Sequence, residues 1–254
     1  MPASLKSVAV STAGKAGAIL KKYYGKKIPG VRSKGTSLVT DVDIWCNNVI
    51  IKEIKKNFPE HNIISEESRQ KRTTSPYTWF IDPIDGTHNY IRGIPLFGTT
   101  VAVARKDEVV AGAIYLPAFN KLYVAERGKG AFCNGRRIRV SKMKKLDFSF
   151  IVFDSSTKGK RKKMRFMRTL STMLFDERMV GCAIVAAAWL AEGTIDSYVI
   201  FKTNAWDIAA GFLLIEEAGG KITDFNGKKW TPHEGSYVAS NKHLHQKMLK
   251  LVQG

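Results

Sequence analysis

Asp82 and Asp85 stand three positions apart around Pro83, after the apolar triplet Trp79-Phe80-Ile81 and before Gly86-Thr87. The triplet reads as the end of a buried strand. Pro83 fixes its own φ and biases Asp82 towards an extended backbone, so both carboxylates can be held facing one another at the strand's carboxyl end. Gly86 lets the backbone approach a ligand, and Thr87 can open a short helix whose free N–H groups suit a phosphate. Two carboxylates beside an anion cradle repel the anion unless a cation lies between them. Mg²⁺ suits that place, because it takes oxygen ligands, binds few carboxylates and completes its shell with water and substrate phosphate. A strand, a Pro-Asp turn and a helix cap would account for either aspartate alone; the whole string is more specific.

Asp82-Pro83-Ile84-Asp85-Gly86-Thr87 resembles the signature of the inositol monophosphatase family of Mg²⁺-dependent, lithium-sensitive phosphatases, which includes archaeal-type fructose-1,6-bisphosphatases. Leu38-Val39-Thr40-Asp41-Val42-Asp43, Ser65-Glu66-Glu67-Ser68 and Trp206-Asp207 with Ile208-Ala209-Ala210-Gly211 follow in the family's order, and Gly128 to Gly135 also looks like it. The resemblance spans nearly the whole chain and implies a layered αβαβα sandwich. It also implies one Mg²⁺ on Glu66, Asp82 and the backbone carbonyl of Ile84, and a second on Asp82, Asp85 and Asp207. A weaker third ion near Glu66 is implied too, with Mn²⁺ able to substitute. Two metals about 3.5–4 Å apart can clamp the attacking and leaving oxygens of an in-line displacement, here by a metal-activated water. Thr87, hydrogen-bonded to Asp43, resembles the family's route for the water's proton; a threonine is a poor base without a buried aspartate behind it. Asp43 also reads as a helix N-cap, and both roles can coexist. Glu67 either supports this shell or is solvated.

By the same resemblance Gly86, Thr87, Ser155, Gly181, Ala183 and Lys202 meet the substrate. Inositol-selective members carry a glutamate seven residues before the aspartate of Trp-Asp; here that place is Ile200, followed by Lys202 and Asn204. Losing a hydroxyl acceptor argues against strict inositol selectivity, and a lysine near the leaving group can meet a second phosphate. The expected substrates are therefore inositol-1-phosphate and fructose-1,6-bisphosphate. Histidinol phosphate and 3′-phosphoadenosine 5′-phosphate are the alternatives on the same scaffold, and binding to RNA or a transcription complex is an alternative of another class. Relatives are commonly homodimers.

None of the five histidines falls in a metal or triad spacing, and no Gly-x-Ser-x-Gly or Cys-His pattern points to covalent catalysis. His88 either contacts substrate or closes the turn. Cys46, Cys133 and Cys182 are odd in number and widely separated, which suits reduced thiols in a cytoplasmic protein. The longest apolar run falls short of the ~20 residues needed to cross a bilayer, and no secretory signal is legible at the N-terminus. The formal charge of +19 fits a polyanionic partner, faster encounter with phosphorylated metabolites, or a solvated lysine-rich surface. Lys158, Lys160, Arg161, Lys162, Lys163, Arg165 and Arg168 concentrate that charge and read first as a solvated helix face.

Elements that position these groups follow from periodicity. Ser4 to Tyr24 reads as an amphipathic helix ended by Gly25, Lys26 to Thr40 as a loop or weak hairpin, and a second helix follows Asp43. Asn62 to Ser65 is a strand that delivers Glu66. Phe97 to Arg105 pairs with Glu108 to Leu116, and Lys121 to Glu126 with Ala131 to Val140, giving a mainly antiparallel sheet with two helices over 1–145. From 146 to 254 strands and helices alternate, implying an α/β half: strands at Phe148–Phe153, Glu177–Val180 and Ile195–Phe201, helices at Lys160–Leu174, Ala183–Glu192 and Trp206–Ala218. Asn226-Gly227 marks a hairpin, and Asn241 caps the last helix. The active site is expected where the two halves meet.

Overall fold

Strand β4 (Tyr77–Asp85) carries the central triplet and lies inside a seven-stranded sheet. The computed structural model describes residues 3–35, 37–68, 73–154, 160–173 and 176–253. The sheet runs in the order β3 (Asn62–Ser65), β4, β5 (Gly98–Arg105), β6 (Glu108–Leu116), β7 (Lys121–Glu126), β8 (Gly130–Cys133) and β9 (Arg136–Arg137). Only β3 and β4 pair in parallel; the other pairings are antiparallel, as the hairpin signals require. Successive strand side chains point to opposite faces. Trp79, Ile81, Val101 and Val103 pack beneath α1 (Leu5–Tyr23) and α2 (Asp41–Asn57), while Phe80, Ala102 and Ala104 face the opposite layer. Covering both faces explains why β4 is apolar throughout rather than alternating. Burying Ile81 or Leu20 completely contributes roughly 1.5–3 kcal/mol each.

α1 starts where Ser4 Oγ accepts the N–H of Ser7 at 3.1 Å, and it buries Val8, Ala9, Ala13, Ala16 and Leu20 at helical spacing. The stretch after it forms a hairpin, β1 (Arg32–Lys34) with β2 (Ser37–Val39). A second sheet has the order β11 (Asp176–Arg178), β10 (Phe150–Phe153), β12 (Ser197–Thr203), β14 (Gly235–Ser240), β13 (Lys221–Asp224). β10 lies parallel to both β11 and β12, and β14 antiparallel to β12 and β13. α5 (Ala183–Glu192) and α6 (Ala205–Glu217) fill the space between the sheets, sharing one core with Phe80, Ile114, Tyr198 and Tyr237. α4 (Lys160–Leu170) and α7 (His245–Gln253) cover the outer face through Phe166, Leu170, Met248 and Leu249. The layers are αβαβα, the expected sandwich.

Several local expectations change. α2 begins at Asp41, not after Asp43: Thr40 is the N-cap, and Asp43 is the third helical residue, closing a capping box with it. The run Ala131–Val140 is broken at Asn134-Gly135, where Asn134 takes φ 48°, so β9 is only two residues long. Phe148 lies in a 3₁₀ turn rather than in β10, because Ser149 Oγ donates to the carbonyl of Leu146 at 2.5 Å. Asn226-Gly227 forms the expected turn, closed by a bridge from Thr223 to Lys229, and β13 pairs antiparallel with β14 through a connection that runs on to Gly235. Asn241 Oδ1 accepts from His243 N and Leu244 N, capping the turn that leads into α7. Among the described residues no helix is long and apolar enough to cross a membrane.

Candidate active site

Asp82 pairs with Thr100 and Asp85 with Gly98, so β4 advances three residues while β5 advances two. In a regular strand residues i and i+3 face opposite sides. The extra residue of this bulge cancels that, and both carboxylates line one cavity. Pro83, with no N–H for the ladder, sits in the bulge where none is needed. Gly86 then takes φ 83°, and a Cβ there would lie 2.6 Å from the carbonyl oxygen of Leu96. The turn opens α3 (Thr87–Ile91).

The cavity is about 490 Å³, and Glu66, Asp82, Ile84, Asp85, Gly86, Thr87, Gly181, Ala183, Lys202 and Asp207 all line it, with His88 and Ile200. Glu66 follows β3, Asp82 and Asp85 lie on β4, and Asp207 stands in the first turn of α6, so three segments deliver the four acids. Asp85 Oδ2 accepts the N–H of Ile184 at 2.7 Å, at the start of α5. Asp207 Oδ2 accepts from Asn204 N at 2.9 Å and Thr203 Oγ1 at 3.0 Å, in a capping box. Asp82 Oδ1 is buried and has no hydrogen-bond partner among the described residues.

Burial, then mutual repulsion, sets the electrostatics. Burial first, then Glu66, Asp85 and Asp207, holds Asp82 well above the ordinary carboxylate range. Burial raises Asp85 to about 7, with Asp207 adding and the Ile184 N–H opposing. Glu66 rises to about 7 through burial, partly offset by Lys34. Burial also raises Asp207 against its hydrogen bonds from Asn204 and Thr203. Such a cluster stays ionised near neutrality only with a compensating cation. Among the described residues no three acidic, His or Cys side chains close on one point as a finished metal site would. Like charges hold apart, and helix N–H groups tether Asp85 and Asp207. The oxygen chemistry of the set, and above all the orphaned Asp82 Oδ1, fits a hard divalent ion.

Asp43 lies behind Thr87 rather than on the cavity wall. Thr87 Oγ1 is 2.9 Å from the Ile84 carbonyl and 3.4 Å from Asp43 Oδ1. Asp43 Oδ2 accepts from Thr40 N at 2.7 Å and Thr40 Oγ1 at 2.5 Å. Burial lifts Asp43 to about 6 against those bonds. The Ile84 carbonyl thus already accepts the Thr87 hydroxyl, with one lone pair left over.

Lys202 pairs with Glu234 at the cavity rim. Asn89 Nδ2 donates to Val180 O at 2.9 Å and Leu96 O at 2.8 Å, fixing the loop that carries Gly181. Ser155 and Lys158 lie outside the described residues. Lys160, Arg161, Lys162, Arg165 and Arg168 are exposed on α4 as expected, but Lys163 is buried with its ammonium 3.6 Å from Asp154 Oδ1. Sequence reasoning missed three cavity neighbours, of which Lys34 and Tyr198 carried little signal and Asp154 more. Lys34 Nζ is 2.9 Å from Glu67 Oε1 and 3.7 Å from Glu66 Oε1, from a Gly- and Lys-rich hairpin without pattern. Asp154 was detectable, since it follows Phe150-Ile151-Val152-Phe153 much as Asp82 follows its own triplet.

An αβαβα sandwich with a carboxylate-lined cavity between its sheets suits a metal-assisted phosphatase of phosphoric monoesters. The model of the inositol monophosphatase family matches residues 1–254. A fructose-1,6-bisphosphatase/inositol-1-monophosphatase of Thermotoga maritima is 34% identical over 246 residues, covering 94% of this chain and 91% of its own. The Nus factor SuhB of Escherichia coli is 35% identical over 250 residues, covering 96% and 93%. The solved structure of the extragenic suppressor protein suhB from Bartonella henselae superposes with a TM-score of 0.93 at 31% identity, covering 99% of each chain. The chain belongs to the inositol monophosphatase family, an Mg²⁺-dependent group of phosphatases.

Proposed function

We propose that this protein hydrolyses small phosphate monoesters, with inositol-1-phosphate and fructose-1,6-bisphosphate as the foremost substrates. The observation that carries this is the buried, unpartnered Asp82 Oδ1 among Glu66, Asp85 and Asp207. Glu66, Asp82, the carbonyl of Ile84, Asp85 and Asp207 would hold two or three Mg²⁺, with Mn²⁺ as a substitute. When bound, the ions neutralise the carboxylates, polarise the phosphoryl oxygens and lower the pKa of water. Thr87 passes the proton of the attacking water towards Asp43, whose raised affinity for protons suits it to receive one near neutrality. The backbone N–H groups at Gly86 and Thr87 orient the phosphate. Gly181, Ala183, Lys202 and Ser155 surround the organic part. The halves 1–145 and 146–254 would each supply part of the site, and the three free cysteines fit a reducing cytoplasm. A homodimer is the assembly we assign.

Phosphate release from a panel of esters, with and without Mg²⁺, tests the reading. Turnover of inositol-1-phosphate or fructose-1,6-bisphosphate is expected; turnover confined to histidinol phosphate or 3′-phosphoadenosine 5′-phosphate moves the assignment to those substrates. The surplus of 41 Lys and Arg over 22 Asp and Glu, with the exposed basic face of α4, favours RNA as a second reading. Hydrolysis of no ester, combined with salt-dependent RNA affinity that survives Asp85→Asn, would favour it instead.

A further inference from the structure

Asp154 lies one residue past β10 and lines the same cavity as the acidic cluster. Its side chain is 9% exposed, and among the described residues neither carboxylate oxygen has a hydrogen-bond partner. Lys163 does not fill that need. Its ammonium donates to the Asp154 main-chain carbonyl at 2.9 Å and stays 3.6 Å from Oδ1, beyond hydrogen-bond reach. A buried carboxylate without donors is costly, and a native structure keeps one where something outside the protein supplies them.

The surroundings say what that donor is. The N–H of Asp154 bonds the carbonyl of Val199 at 3.0 Å, extending the parallel pairing of β10 with β12. This sets Asp154 beside Ile200, an apolar cavity residue that offers no polar contact. Tyr198 lines the same wall; burial, then the charge of Asp154, keeps its phenol protonated. Because Asp154 stands beyond the strand, its side chain can change rotamer without breaking the ladder. Burial pushes the Asp154 carboxyl up, and the charge of Lys163 opposes that rise; when ionised the carboxylate only accepts hydrogen bonds. Phosphate oxygens cannot donate to it, whereas alcohol groups can.

We propose that Asp154 is a specificity-determining residue, accepting hydrogen bonds from hydroxyl groups on the organic part of the ester. This rests on the phosphatase reading above. The test is steady-state kinetics of the full chain with Mg²⁺ on two esters, glycerol 2-phosphate and p-nitrophenyl phosphate, the second lacking any alcohol. In Asp154→Ala the ratio of kcat/KM for the first over the second is expected to fall about ten- to hundredfold, the worth of a hydrogen bond to a charged group. The loss should lie in KM, and isosteric Asp154→Asn should show a smaller loss in the same direction, which covers a poorly folding alanine variant. Lys163→Met should leave the ratio closer to wild type than Asp154→Ala does. Equal losses on both esters, or an unchanged ratio, overturn the proposal while the phosphatase reading stands. A wild-type enzyme inactive on both esters overturns the phosphatase reading and this one with it.

Discussion

The Thr87 hydroxyl lies 3.4 Å from Asp43 Oδ1, although the two residues are 44 positions apart. Asp43 is held from behind by both the N–H and the hydroxyl of Thr40. It is therefore pre-oriented by the capping box of α2 and needs no ligand to hold it. The same box that starts a helix aims a carboxylate at the cavity's threonine.

Thr87→Ala and Asp43→Asn should each lower kcat by about 10²–10⁴ with KM little changed, the usual worth of a positioned proton acceptor. Thr87→Ser, which keeps the hydroxyl, should retain most activity. Kinetics at saturating Mg²⁺ check this, and an unchanged kcat in Thr87→Ala would remove the hydroxyl from the proton path.

Asp85→Asn keeps an acceptor for the Ile184 N–H but deletes a charge from a repulsive cluster. Turnover should vanish while the fold persists, and the melting temperature in a chelator should equal or exceed that of the parent. The parent should gain stability on adding Mg²⁺, about 2.7 kcal/mol at a hundredfold excess over Kd. The variant should gain much less. Retained turnover in Asp85→Asn would take this residue out of the metal set.

The pH dependence of the metal-free protein has a definite sign. Glu66 and Asp85 rise to about 7 in the fold from model values of 4.5 and 3.8. Raised carboxylates contribute stability that is complete below their unfolded pKa and is lost as pH climbs through the folded one. Denaturant unfolding in a chelator should thus show stability falling from about pH 4 to about pH 7. Excess Mg²⁺ should flatten or reverse that slope, and a chelated protein that grows more stable with pH would contradict the cluster.

Most of this site was readable because its chemistry sits at strand ends and helix starts that apolar periodicity marks. β4 announces itself through Trp79-Phe80-Ile81, and α6 through Trp206-Asp207. What stayed hidden is what no local pattern encodes. Whether Asp82 and Asp85 share a face depends on a bulge set by pairing with β5, which the i, i+3 spacing alone would have denied. The start of α2 moved because Thr40 and Asp43 cap it together, a reciprocal pair easily read as a single N-cap. Lys163 sits in a basic run, yet only the packing of α4 against β10 shows that it alone of the described run turns inward.

Gly86→Ala should destabilise the protein by about 1–3 kcal/mol, because the residue would be forced into a left-handed conformation. The added Cβ would also lie 2.6 Å from a backbone oxygen that cannot swing aside. Loss of activity should exceed the loss of stability, since the turn places Asp85 and Thr87 together. Thermal unfolding beside kinetics at a temperature where the variant is folded separates the two.

Lys34 competes with any cation for the acidic cluster. Its ammonium is 2.9 Å from Glu67 Oε1, 2.9 Å from the Glu66 carbonyl and 3.7 Å from Glu66 Oε1. Those bonds and charges raise the lysine's pKa even against the burial that would lower it, so it stays protonated across the working range. Lys34→Met removes one positive charge a few ångströms from a ligand candidate, where a pair at 4 Å is worth about 4 kcal/mol before solvent and relaxation reduce it. Glu66 should then hold its proton more tightly, having lost a favourable neighbour, while a divalent ion gains from the loss of a competing charge. Well above neutrality the gain for the ion prevails, because the carboxylate is already ionised and only the competitor has gone. The half-saturating Mg²⁺ concentration above neutrality should therefore fall several-fold in Lys34→Met, and the gain should shrink as pH drops towards about 7, where Glu66 takes up its proton. A half-saturating concentration that rises at high pH would show that Lys34 organises the site instead of guarding it.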